Sequence, residues 1–181
     1  MADDREILEA FKDEGRRDYA FNLLVRKYSR SLYWHIRRAV LNHDDADDLL
    51  QNTLIKAWRH LPEFREDSRL YTWLYRIATN ETINFLRSKR LKTMFSMSGH
   101  ERELTESLKA DPYFHGDDIM ARLYGAIAKL PPRQKMVFNM KYFEDMKFTE
   151  IAGILDRTTG SVKASYHQAY LKLRHLLDGS E

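Results

Sequence analysis

Apolar residues recur along this chain at intervals of three and four, and every strong periodic segment reads as an amphipathic helix. Ile7, Leu8 and Phe11 mark a short first helix that closes near Gly15. Asp18 is placed to cap a second, with Phe21, Leu24, Val25, Tyr28, Leu32, Ile36 and Ala39 facing inward. Asn42 and His43 break it. The third is the cleanest: Ala46, Leu49, Leu50, Thr53, Leu54, Ala57, Trp58 and Leu61 hold one face until Pro62 stops it. A polar loop over 64–67 precedes a fourth helix over 68–90.

From Leu91 to about Gly116 the period dissolves, and Gly, Pro and Ser mark a linker with at most a brief helical turn at 101–109. Helical spacing then resumes. Met120, Leu123, Ile127 and Leu130 form one helix. Pro131-Pro132 ends it and starts another, which carries Met136, Val137 and Met140. After a turn at 143–147 come a short helix, 148–155, and a longer one, 159–177. The expected fold is all-α: a helical domain over 1–92, a flexible acidic linker over 93–118 and a second helical domain over 119–181.

Charge sharpens this division. The net charge is only +3, but segments 56–92 and 129–177 each hold nine Lys/Arg against four Asp/Glu. Segment 93–118 holds two against six. Two basic blocks around an acidic one suit two nucleic-acid contacts and a connector with another task. Cysteine is absent, which excludes disulfides, thiol nucleophiles and Cys-based zinc sites. His35, His43, His60, His100, His115, His167 and His175 are scattered without metal-ligand spacing, so neither a metal, a cofactor nor an enzyme is expected. The first residues are charged and unlike a signal peptide, and no apolar run approaches a membrane span. A soluble cytoplasmic protein is the expectation.

Three faces carry candidate chemistry. On the fourth helix Tyr71, Leu74, Tyr75, Ala78, Phe85 and Leu86 form an apolar stripe. Opposite lie Arg69, Trp73, Arg76, Asn80, Asn84 and Arg87, a basic face without carboxylates. Cations grip phosphates, amides read base edges and an aromatic stacks a base. On the third helix Asp48, Gln51, Asn52 and Ile55 form an acidic-to-neutral row that repels phosphate but suits a protein partner with a basic helix.

The third face lies in 148–174, which fits a DNA-binding helix-turn-helix. Ile151, Ala152 and Leu155 line the inner side of its first helix, and Asp156-Arg157 make the turn. Thr158 is placed to cap the second helix, and Val162 to fill the angle. Arg157, Thr159, Ser161, Lys163, Ser165, Tyr166, His167 and Gln168 are the candidate major-groove contacts. Lys147 stands where a capping Ser is common, so this first helix is expected to fray or to be capped by Thr149.

In sequence order, AFNLLVRKY, DADDLLQNTLIKAW, FREDSRLYTWLYRIATNETINFLR, LPPRQ, FTEIAGIL and GSVKASYHQA together resemble the extracytoplasmic-function sigma factors, a two-domain class of bacterial transcription initiation factor. YTWLYRIA is the most specific stretch. The resemblance implies binding to core RNA polymerase, promoter recognition and DNA opening. It implies that Asp48, Gln51 and Asn52 dock on the clamp helices of the largest subunit. Phe64, Arg65 and Ser68 would sit in the loop that cradles a flipped −10 base. Asn80 and Asn84 would read that element, with Trp73 at the upstream edge of the bubble. The second domain would read the −35 element and touch the polymerase flap, and the linker would run through the RNA exit path. Members are commonly held by an anti-sigma factor. Ser165 and Gln168 replace arginines frequent in the family, which implies an altered or weaker −35 preference. Two other readings compete: a stand-alone helix-turn-helix regulator that never opens DNA, and a helical interaction module.

Overall fold

The structure, a computed structural model, describes residues 3–94 and 118–179 together with Leu104, Leu108, Ala110 and Asp111 between them. Helices α1 (Asp4–Lys12), α2 (Arg17–Val40), α3 (His43–His60) and α4 (Leu70–Met94) come first. Helices α5 (Asp118–Ala128), α6 (Pro132–Tyr142), α7 (Phe148–Leu155) and α8 (Thr159–Asp178) follow. No strand occurs among the described residues. The all-α expectation holds. The chain divides into two compact units, Met1–Thr82 with Gly153–Leu155, and Ile83–Ala152 with Asp156–Glu181.

In the first unit α2 packs against both α1 and α3. The predicted stripes supply its core: Ile7, Leu24, Leu32, Ile36, Ala46, Ala57 and Leu74 are all fully buried. Each large aliphatic among them contributes about 1.5–3 kcal/mol of transfer free energy. One polar bridge crosses this core. His35 and Thr79, both fully buried, are hydrogen-bonded at 2.8 Å between α2 and α4. Tyr28 donates to the Asp4 carboxylate at 2.6 Å, and Lys27 pairs with the same oxygen at 2.8 Å. Burial first, and that carboxylate second, push the Tyr28 hydroxyl far above its ordinary range.

One turn assignment changes. Asp18 does not cap α2; it sits inside the first turn, where its charge suits the helix dipole. The capping carboxylate is Asp13, which accepts from the Gly15 N–H at 3.0 Å and starts a short 3₁₀ turn over 14–16. The α2–α3 break is built as expected at Asn42, whose side chain accepts from the Asp45 N–H at 2.9 Å. Leu41 makes the reversal with φ 62°.

In the second unit α8 packs on α6 and α5. The inner face of α5 is turned relative to expectation. Ala121, Tyr124, Ala126 and Ile127 are buried, whereas Met120 and Leu123 are half-buried. The Tyr124 ring stacks on Phe143 at 5.2 Å, and this contact sets the face. Helix α6 is buried continuously from Lys135 to Met140. That run includes Asn139, fully buried with neither side-chain atom hydrogen-bonded. Most of the expected linker lies outside the described residues. Within it Leu104, Leu108 and Ala110 are helical, and Leu108 is buried.

Candidate nucleic-acid interface

Helix α4 presents two faces, as its sequence predicts. Leu74, Tyr75, Ala78 and Leu86 are buried, and Tyr71 lies against Tyr28 and Tyr75. On the other side Arg69, Asn80, Asn84 and Arg87 are exposed, while Arg76 is half-buried. Trp73 is half-buried too. Its ring meets Phe64 at 5.2 Å between centroids, with the planes at 48°. Helical spacing gave no hint of this partner, because Phe64 lies before the helix.

The loop before α4 is held from several sides. Phe64 closes a 3₁₀ turn over 61–63 through its N–H to the Leu61 carbonyl at 3.1 Å. Glu66 takes a left-handed conformation, φ 59°, and its carboxylate pairs with Lys12 at 3.2 Å. Arg65 is exposed and Ser68 half-buried. The loop therefore offers an aromatic pair, a hydroxyl and a free-standing guanidinium on a braced backbone.

On α3, Asp48, Gln51, Asn52 and Ile55 are all exposed. Ile55 is 48% accessible. Trp58, assigned to the inner stripe from spacing, is 37% accessible, with Phe11 and Phe21 against its ring edges. It extends the apolar part of this surface by one turn. The signal was present in the i, i+3 relation to Ile55. Lys56 pairs with Glu81 and ties α3 to α4.

The helix-turn-helix geometry follows from local chemistry. Asp156 adopts the left-handed conformation at φ 52°, ψ 55°, and the Arg157 N–H returns to the Ala152 carbonyl at 3.0 Å. The Thr158 hydroxyl accepts from the Ser161 N–H at 3.2 Å and so caps α8. Val162, Ile151 and Ile154 are buried. Helix α7 does not depend on Thr149: the Glu150 carboxylate reaches back to accept from the Lys147 N–H at 2.8 Å. Lys147 cannot supply the reciprocal acceptor, so half of a capping box does the work.

The candidate contacts on this motif separate into two groups. Arg157, Ser161, Lys163, His167 and Gln168 are exposed, and Thr159 and Ser165 are half-buried. Gln168 accepts from Gln134 at 3.1 Å, and Gln134 accepts from Lys172 at 3.0 Å. Tyr166 is committed to packing, with its ring stacked on Phe138 at 5.8 Å and edge-on to Phe148 at 5.6 Å. Burial pushes its hydroxyl up from the ordinary tyrosine range. No cluster of three or more His, Cys, Asp or Glu suited to a metal occurs among the described residues. No described helix is long and apolar enough to cross a membrane.

Comparison with known proteins places these features together. The family described as Sigma-70 region 2 matches residues 24–92, and Sigma-70, region 4 matches residues 120–173. The RNA polymerase sigma-H factor of Pseudomonas aeruginosa is 30% identical over 174 residues, covering 92% of this chain and 89% of that protein. The ECF RNA polymerase sigma-E factor of Escherichia coli K12 is 31% identical over 158 residues, covering 83% and 82%. Among solved structures, CnrH in complex with the cytosolic domain of CnrY aligns with a TM-score of 0.67 at 23% identity, over 98% of this chain and 99% of that one. The sigma factor RpoE of Bartonella quintana, in complex with the anti-sigma factor NepR, aligns at 0.64 and 21%, over 89% and 98%. With matched regions in the right order and relatives covered almost end to end, the chain belongs to the extracytoplasmic-function branch of the sigma-70 family and is a transcription initiation sigma factor.

Proposed function

We propose that α3 docks the chain on core RNA polymerase, that α4 and the 64–68 loop read and open the −10 element, and that α8 reads the −35 element. The observation that carries the −10 assignment is the Phe64–Trp73 pair at the start of α4, a helix whose exposed residues include Asn80, Asn84 and Arg87. Duplex readers have no use for an aromatic pair on such a face. Unstacking costs a few kcal/mol per base, and stacking on an aromatic returns about 1–3 kcal/mol. No single contact opens the duplex, so the reaction requires polymerase. Arg69 and Arg87 hold the strand through phosphates, which makes opening salt-sensitive.

The exposed row Asp48, Gln51, Asn52 and Ile55 supports docking on a basic helix of the polymerase, in the family the clamp helices of the largest subunit. Residues 1–92 and 119–181 then act as separate promoter-reading regions, the second also touching the flap. The acidic stretch 93–118 passes the RNA exit path, where its carboxylates mimic nucleic acid. On α8 the exposed Arg157, Ser161, Lys163 and His167 are the leading −35 contacts. Gln168, shared with Gln134, and the packed Tyr166 contribute less. The Bartonella RpoE was solved in complex with the anti-sigma factor NepR, and a comparable anti-sigma factor is proposed for this chain.

Initiation from a matched promoter with purified core polymerase is the decisive experiment. A stand-alone regulator would bind the −35 duplex yet give no polymerase-dependent transcript, and that result would overturn the assignment.

A further inference from the structure

Between α1 and the start of α4 lies a cavity of about 360 Å³. Arg5, Leu8 and Glu9 line it from α1, and Ser68, Arg69 and Leu70 from the other side. Its volume falls in the lower part of the range that holds small ligands. Lys12, in the last turn of α1, reaches across to Glu66 at 3.2 Å at the exposed edge of the two walls.

The charges in this cavity divide into spent and available groups. Asp4 is occupied by Tyr28 and Lys27, and Glu66 by Lys12. Arg5, Glu9 and Arg69 are exposed and make no ion pair among the described residues. Leu70 is buried and Leu8 half-buried, which gives an apolar floor. Two guanidiniums at the rim, one carboxylate and an aliphatic floor match one nucleotide: phosphate to arginine, base face to leucine, base edge to carboxylate. An inorganic anion would leave the floor and Glu9 unused.

We propose that this cavity is a nucleotide site in which α1 reads one unpaired base of the promoter, with Glu9 as the specificity-determining residue. A carboxylate only accepts hydrogen bonds. On the open edge of an unpaired base it therefore favours an amino-bearing base, guanine through N1–H and N2–H2, cytosine through N4 or adenine through N6, over thymine, whose single N3–H lies between two carbonyl oxygens that a carboxylate repels. Arg5 and Arg69 hold the flanking phosphates. The Lys12–Glu66 pair joins α1 to the loop that carries Phe64. This inference rests on the proposed −10 function and adds a reader that the α4 face does not contain.

The test uses the full chain with core polymerase on promoters carrying each base in turn at every non-template position from the −10 element downstream. Open-complex lifetime is the readout. At one position the wild type should prefer an amino-bearing base over thymine by about tenfold, the scale of one good base contact. Glu9→Gln should collapse that preference and leave the other positions unchanged. Arg5→Ala should shorten lifetimes at all sequences alike. Circular dichroism and binding to a −35 duplex should match wild type for both variants. Identical base-preference profiles for wild type and Glu9→Gln would overturn the nucleotide site while leaving the −10 assignment to α4 intact. Absence of any initiation by the wild type would overturn both.

Discussion

Phe64 and Trp73 hold each other: their rings lie 5.2 Å apart, one ahead of α4 and one in its first turn. Trp73 is therefore neither a core residue nor a free surface tryptophan. It is pre-oriented by a partner that is itself part of the loop proposed to read bases. Trp73→Ala should reduce open-complex formation by about tenfold or more, the loss of one base stack. Phe64→Ala should fall in the same direction, and the double variant should lose less than the two losses combined, because each ring positions the other. Binding to an isolated −35 duplex should not change. Equal loss of duplex and open-complex binding would mean that the pair supports the fold instead.

The face proposed for polymerase docking is exposed, so it can be altered without unfolding the chain. Asp48 lies on α3 beside exposed Asn52 and Ile55. Asp48→Arg should abolish co-purification with core polymerase, whereas Tm should move little, as for most exposed substitutions. Ile55→Glu should weaken docking to a similar degree. Normal co-purification of both variants would rule this face out.

Lys135 gives the second unit a defined pH response. It is 6% accessible on the buried side of α6, and desolvation lowers its pKa from 10.5 to about 8. Below pH 8 the ammonium is charged in both folded and unfolded chains, and the full penalty, on the order of 3 kcal/mol, opposes folding. Between about 8 and 10.5 the unfolded chain holds the proton more often, so stability from this group rises with pH. Lys135→Met should stabilise the protein at pH 7 and flatten that rise. Urea unfolding at pH 7.5 and 9.5 measures both effects. One turn on, Asn139→Leu should also stabilise, by about 1–3 kcal/mol, since it removes a buried amide with no partner.

Gly160 stands in the first turn of α8, and an added Cβ would meet nothing within 4 Å. Gly160→Ala should raise stability by about 0.5–1 kcal/mol through helix propensity. Any loss of −35 binding must then come from the DNA complex and not from folding. Thermal unfolding and duplex binding, measured on the same sample, separate the two.

What could be read from the chain was what acts within one element or across one turn. Asp156 in the left-handed region, Thr158 as a cap and the buried stripes of α2, α3 and α4 are all dictated locally. What escaped involves partners brought by the fold. Phe64 covers Trp73, Phe138 and Phe148 claim Tyr166, and Phe143 draws Tyr124 inward on α5. Large rings choose their contacts across elements, and no period of three or four encodes that. The α1 cavity was invisible for the same reason, since Arg5 and Glu9 read as ordinary solvated charges on a short helix.

The placement of tryptophan makes the protein its own optical instrument. Its three tryptophans are Trp34, Trp58 and Trp73, and none follows residue 73. Trp58 sits with Ile55 on the face proposed for docking, Trp73 beside Phe64 on the face proposed to read bases, and Trp34 against Tyr33 on α2. With Trp34→Phe as background, adding Trp73→Phe or Trp58→Phe leaves one ring at a time, so that the proposed docking would register in Trp58 emission and the proposed base contact in quenching of Trp73. Events confined to α8 stay dark, so the order of docking and melting can be timed without attaching a dye.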